Sequence, residues 1–148
     1  MQGLKNRARP SAALERETEL ALPRAAAVEE EVQLLIVEDD DDALEALMAI
    51  VELDGYRAEG AGSAEEALDI TAQRAPHCVV LDLGLPGIGG AELARRLRSR
   101  FGSGLVLIGV TGSTDADTLS AAEEAGVDYL LSKPLDIERF RRIVPPLR

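Results

Sequence analysis

Residues 79–87 read VVLDLGLPG. Three apolar residues suited to a buried strand run straight into Asp82, and Gly84 and Pro86 then break the pattern. A strand that is apolar at every position, rather than at alternate ones, is covered on both faces, as in a parallel sheet. A carboxylate at the mouth of such a strand is costly to desolvate unless something there uses it. The stretch therefore predicts an α/β fold and asks what Asp82 is for.

The sequence on either side repeats the same alternation. QLLIVE (33–38) is a short apolar run, followed by Leu44, Leu47, Met48 and Val51 at the i, i+3, i+4, i+7 spacing of an amphipathic helix. Gly55 stops that helix, and YRAEGA (56–61) is a weak second strand. Ser63 with Glu66 forms a capping-box pattern that opens a helix ending before Pro76. CVVLD (78–82) is the third strand, and a helix over 89–100 carries Leu93 and Leu97 inward. LVLIGV (105–110) is the fourth strand. Thr114 with Asp117 is expected to cap the next helix, whose stripe is Thr118, Ala121, Ala122 and Ala125 and whose stop is Gly126. VDYLLS (127–132) is the fifth strand and DIERFRRIV (136–144) the last helix. Five βα units in succession imply a parallel sheet with helices on both faces. Residues 1–32, rich in Ala, Glu and Arg and broken by Pro10 and Pro23, lack a wide apolar stripe. They are expected to form a mostly disordered tail ahead of one domain over 33–148.

With 148 residues, 46% apolar and 29% charged, the chain has the composition of a single soluble globular domain. Its net charge of −11 argues against direct nucleic-acid binding, which needs a basic face. No apolar run approaches the roughly 20 residues of a membrane helix, so no membrane association is expected. The basic residues of MQGLKNRARPSAALERETEL have no apolar stretch behind them, so this segment is not expected to be a secretory signal. A lone cysteine, Cys78, excludes an internal disulfide framework and suits a reducing cytoplasm.

In an open α/β sheet, ligands bind beyond the carboxyl ends of the strands. The first strand ends in Glu38 and Asp39, the third in Asp82, the fourth in Thr111 with Gly112 after it, and the fifth in Ser132 and Lys133 before Pro134. Clustered carboxylates repel one another and call for a divalent cation, and an all-oxygen ligand set suits Mg²⁺. A carboxylate is also a nucleophile for phosphoryl transfer, giving an aspartyl phosphate whose charge a metal, a lysine and a hydroxyl would share. Taken singly, each residue has a plainer reading. Thr111 is then a hydroxyl before a helix, Lys133 a solvated loop lysine and Tyr129 a core aromatic. Asp40, Asp41 and Asp42 read as a helix cap and solvated charge, and His77 as a loop residue.

In combination these residues resemble the response-regulator receiver domain of bacterial two-component signalling. The resemblance covers about residues 33–144. It rests on the acidic pair in LIVEDD, Asp82 in VVLDLGLPG, Thr111 after strand four, Lys133 in SKP and Tyr129 four residues before that lysine. It implies a flavodoxin-like, doubly wound five-stranded parallel sheet of order 2-1-3-4-5 with five helices. It implies that Asp82 accepts a phosphoryl group from a histidine kinase or histidine phosphotransfer protein. Asp39 would bind Mg²⁺ directly with help from Glu38, the Gly84 carbonyl would be a backbone metal ligand, and Thr111, Lys133 and the Gly112 N–H would hold phosphoryl oxygens. Thr111 and Tyr129 would switch the surface of helix four, strand five and helix five, residues 114–144, where an effector or a second copy docks. Such a domain is a signalling phosphoacceptor rather than an enzyme acting on other substrates. Gly84 and Ser113 stand where the family tunes hydrolysis of the aspartyl phosphate. Gly89 in PGIGG stands where relatives often carry an acid or amide, which implies a more flexible loop.

Two other readings compete. A haloacid-dehalogenase-type phosphatase also uses an Asp nucleophile, but Gly84 stands where its second acid belongs, and Ala43 breaks the pattern around Asp39 and Asp41. A pseudo-receiver, an interaction module never phosphorylated, is opposed by the complete set of acids, Thr111 and Lys133. Only fifteen residues follow Lys133, so the expectation is a receiver with no output domain, either stand-alone or excised from a longer chain such as a hybrid kinase.

Overall fold

The computed structural model describes residues 32–146. Apart from Val32, the expected tail lies outside the described residues. Among the described residues five strands and five α-helices alternate: β1 (Val32–Val37), α1 (Asp41–Leu53), β2 (Ala58–Ala61), α2 (Ala64–Gln73), β3 (Pro76–Asp82), α3 (Gly90–Phe101), β4 (Val106–Thr111), α4 (Ala116–Glu124), β5 (Tyr129–Ser132) and α5 (Ile137–Ile143). A short 3₁₀ turn, Gly102–Gly104, joins α3 to β4. The sheet is parallel throughout, in the order β2-β1-β3-β4-β5, as the resemblance implied.

The continuously apolar strands are buried on both faces because successive side chains point to opposite sides. Leu35, Val37, Val79, Leu81 and Leu107 form one core with Ala64 and Ala67 of α2 and Leu93, Ala94 and Leu97 of α3. Leu34, Ile36, Cys78, Val80, Ile108, Val110 and Leu131 form the other with Val51 of α1 and Phe140 of α5. Cys78 sits inside that second core, and burial, with the Asp128 charge adding, pushes its thiol up to about 12. It is a small apolar residue in practice.

Several boundaries move for local reasons. Strand β2 begins at Ala58 rather than Tyr56, because the Tyr56 N–H closes α1 on the Val51 carbonyl and its hydroxyl donates to the Pro145 carbonyl at 2.6 Å. Strand β5 begins at Tyr129 rather than Val127. The Val127 N–H still bonds the Ala122 carbonyl of α4, and the Asp128 carboxylate accepts from the Leu107 N–H at 2.8 Å and from Arg98 at 2.7 Å. That arginine also donates to the Gly102, Leu105 and Gly126 carbonyls, tying the end of α3 to the turn before β5. Ser63 caps α2 through the Glu66 N–H, as its spacing predicted. Helix α4 is capped by Asp115, which accepts from the Thr118 N–H at 2.8 Å, and not by Thr114. Both pairs have the same three-residue spacing, so spacing alone did not choose between them. Of the expected α4 stripe, Ala122 and Ala125 are buried while Ala121 is exposed.

Candidate functional site at the carboxyl edge of the sheet

Strand register brings the chemistry-bearing residues to one edge. Val37 pairs with Leu81, Asp82 with Val110, and Thr111 with Ser132. The residues just beyond those pairs, Glu38, Asp39 and Lys133, therefore gather around the end of β3.

Asp82 is buried, at 7% exposure, and both of its carboxylate oxygens have partners. Oδ1 accepts from the Gly84 N–H at 2.8 Å, and Oδ2 from the Lys133 ammonium at 2.9 Å. Lys133 is itself placed by its backbone N–H, which donates to the Thr111 carbonyl at 2.8 Å. Its ammonium also lies 3.7 Å from Glu38 Oε1. The hydrogen bond to Asp82, before any other influence, raises the lysine above its ordinary value, so it is a fixed cation at neutral pH. Glu38 accepts from the Asp40 N–H at 3.1 Å. Burial, with the Asp82 charge adding, raises its carboxyl above the usual value, while the Asp40 N–H and Lys133 pull the other way.

Glu38, Asp39 and Asp82 each offer a carboxylate oxygen within 4.8 Å of the other two. Three such oxygens, one exposed and two recessed, with a single lysine among them, are a donor set for a hard divalent cation of the Mg²⁺ type. The rest of the acidic run does other work. Asp40 caps α1 by accepting from the Asp42 and Ala43 N–H groups at 3.0 and 3.3 Å, and Asp41 and Asp42 fill the first turn, where negative charge suits the helix dipole. The plainer reading of those residues holds.

Thr111 is 5% exposed at the end of β4, with its hydroxyl turned into the following loop. It donates to the Ser113 carbonyl and accepts from the Ser113 N–H, each at 3.1 Å. A Cβ at Gly112 would meet nothing within 4 Å beyond its chain neighbours, and Tyr129 is half exposed on β5 opposite Ile108. The Ser113 hydroxyl, donating to Asp115 at 2.7 Å, is a link the sequence did not disclose, since TGSTD offers several hydroxyl–acid pairings of equal spacing. An apolar cleft of about 390 Å³ opens beside Asp82 and runs between α1 and the Lys133–Ile137 segment, past Ala43, Leu47, Ile50 and Leu135.

Comparison with known proteins identifies the family and agrees with the fold. A family profile described as the response regulator receiver domain matches residues 34–145. The chain belongs to the response-regulator receiver family. The phosphatase reading is thereby set aside, and the setting is two-component signalling. The receiver is 36% identical over 96 residues to the response regulator MprA of Mycobacterium sp. (strain KMS), a match covering 65% of this chain and 41% of that protein. It is 35% identical over 94 residues to the virulence sensor protein BvgS of Bordetella pertussis, covering 60% of this chain and 8% of that one. The chain thus spans less than half the length of either relative. Among solved structures it resembles the non-phosphorylated HemR receiver domain from Leptospira biflexa, with a TM-score of 0.70, 30% identity, and coverage of 80% of this chain and 98% of that one. A CheY-like receiver domain protein from Methanospirillum hungatei aligns with a TM-score of 0.70 at 27% identity, covering 77% and 94%. No described helix of this receiver is long and apolar enough to cross a membrane.

Proposed function

We propose that this receiver takes a phosphoryl group onto Asp82 from a histidine kinase or histidine phosphotransfer protein, with Mg²⁺ at Glu38, Asp39 and Asp82. The observation that carries the reading is the pairing of a buried Asp82 carboxylate with Lys133 at 2.9 Å inside a three-carboxylate cluster. In the transfer, an Asp82 oxygen forms a bond to phosphorus while the P–N bond to the donor imidazole breaks, its electron pair staying on nitrogen. Lys133 is already in reach and would follow the incoming oxygens. The Thr111 hydroxyl and the Gly112 N–H would supply further donors, and the Gly84 carbonyl would complete the metal's ligands. Bound Mg²⁺ supplies the positive charge that offsets repulsion between phosphate and the acids. The apolar cleft beside α1 gives a protein donor a surface on which to seat. Output would pass through Tyr129 and residues 114–144 to an effector or a second copy. A soluble cytoplasmic setting fits the buried thiol and the donor class.

Reaction with acetyl phosphate and Mg²⁺ should add one phosphoryl group per chain, with the label on the peptide containing Asp82, and prior chelation should prevent it. A label on another residue, or labelling that survives chelation, would overturn the reading.

The metal assignment has its own expected outcome. Asp39→Asn removes one of three clustered charges, so the metal-free protein should gain up to about 1 kcal/mol of stability, the small size reflecting solvent screening of an exposed group. The same change should weaken Mg²⁺ binding by at least about tenfold. Thermal unfolding across a Mg²⁺ titration reads both quantities. Identical titrations for the two proteins would remove Asp39 from the ligand set.

A further inference from the structure

Helix α4 is held to the domain by little apolar surface. Within Ala116–Glu124 only Ala122 is buried, and Leu119 is 45% exposed. Its first turn is fixed by polar bonds instead. Asp115 Oδ1 accepts from the Thr118 N–H at 2.8 Å, and Asp115 Oδ2 accepts from the Ser113 hydroxyl at 2.7 Å. Ser113 in turn exchanges both of its backbone groups with the Thr111 hydroxyl. A continuous chain of hydrogen bonds therefore runs from the buried end of β4 to the cap of α4.

We propose that Ser113 and Asp115 are positioning residues: they hold the Thr111 hydroxyl in the loop and couple its release toward Asp82 to loosening of the α4 cap. This deepens the phosphoacceptor reading and rests on it. A hydroxyl has a single proton to donate, and that of Thr111 is given to the Ser113 carbonyl. To donate to a phosphoryl oxygen, Thr111 must surrender that bond. Turning the side chain alone would leave the Ser113 N–H without the acceptor it now has, which is costly in a half-buried loop. The loop must therefore move with the hydroxyl, and Ser113 carries the Asp115 carboxylate with it. The same bonds, that of the Thr118 N–H first and that of Ser113 next, hold the Asp115 carboxyl below the ordinary aspartate value, so the cap is a charged one. Both buried alanines, Ala122 and the C-cap Ala125, lie in the second half of the helix, so its first turn is held by the cap and yields first.

The test uses the full chain labelled for amide NMR, with beryllofluoride and Mg²⁺ as the phosphoryl mimic. Shifts at Leu83 and Gly84 report occupancy of Asp82, and the Thr118 amide reports the cap. On addition of the mimic, Thr118 should shift and exchange faster by about tenfold, the scale of one hydrogen bond lost. Ser113→Ala keeps the backbone bonds to Thr111 but frees Asp115. It should speed Thr118 exchange roughly threefold without the mimic and tighten beryllofluoride binding by a similar factor. Ser113→Thr, which restores a hydroxyl, should return both values to those of the wild type. If Ser113→Ala fails to fold, Asp115→Asn, which keeps a cap acceptor and weakens the Ser113 bond, makes the same comparison. Shifts at Gly84 with an unchanged Thr118 would overturn the coupling alone, as would wild-type affinity in Ser113→Ala. No shift at Gly84 would overturn the phosphoacceptor reading and the coupling together.

Discussion

Asp82→Asn is expected to take up no phosphoryl group from acetyl phosphate under conditions in which the wild type gains one. An amide is not a nucleophile toward phosphorus, so the effect is a loss of reaction rather than a slowing. Glu38 and Asp39 stand within 4.8 Å and are carboxylates too, which makes the test a demanding one. What sets Asp82 apart is its surroundings: it is buried, and it has the Lys133 ammonium on one oxygen and the Gly84 N–H on the other. Asn at this position still offers an oxygen to Gly84. It loses the bond to Lys133 but also a negative charge beside Glu38 and Asp39, and these changes oppose each other. Its stability should therefore stay within about 1 kcal/mol of the wild type, so unfolding cannot account for lost labelling. Intact mass and thermal unfolding on the same samples decide the matter. Equal labelling of the two proteins would move the acceptor to another residue.

How much of this was legible in the sequence depends on which interaction placed each group. The sheet and its edge were legible because strands β1, β3 and β4 carry unbroken apolar runs, Leu34–Val37, Cys78–Leu81 and Val106–Ile108, and a parallel sheet delivers all its strand ends to one side. Glu38, Asp39, Asp82, Thr111 and Lys133 follow from that placement alone. The short outer strands were less legible. Tyr56 and Val127 look like strand residues, yet their N–H groups close the preceding helices. The Arg98 bonds to the turn before β5 join residues 28 and 30 positions apart, and nothing in the local pattern around Arg98 announces them. The loop after Thr111 was hardest to read, since Ser113, Thr114 and Asp115 can each cap or be capped, and the choice is made by the direction in which β4 delivers the chain.

Gly90→Ala is expected to cost about 3 kcal/mol or more and to slow phosphorylation of whatever remains folded, although Gly90 has an ordinary helical backbone. A Cβ there would lie 2.6 Å from the Leu83 Cα and 3.1 Å from the Asp82 carbonyl carbon, with the Asp82 carbonyl oxygen closer still. All three are backbone atoms of the strand end, so no rotamer change relieves the overlap. The start of α3 would have to lift away from β3, loosening Leu93, Ala94 and Leu97 in the core, which places the cost at or above the upper end of ordinary overpacking. The displaced peptide is the one that carries Asp82. A shift of about 1 Å there should slow labelling by roughly a hundredfold, because the carboxylate would no longer meet Lys133 and the metal ligands in register. Gly89→Ala is the control one residue away. Gly89 has a φ of 90°, which disfavours a side chain, but a Cβ there meets nothing within 4 Å, so the cost should be only about 1–2 kcal/mol. Denaturant unfolding of the two variants, with labelling rates on each, separates close packing against Asp82 from backbone strain. Equal losses in stability, or normal labelling in folded Gly90→Ala, would show that α3 does not hold the phosphoacceptor in place.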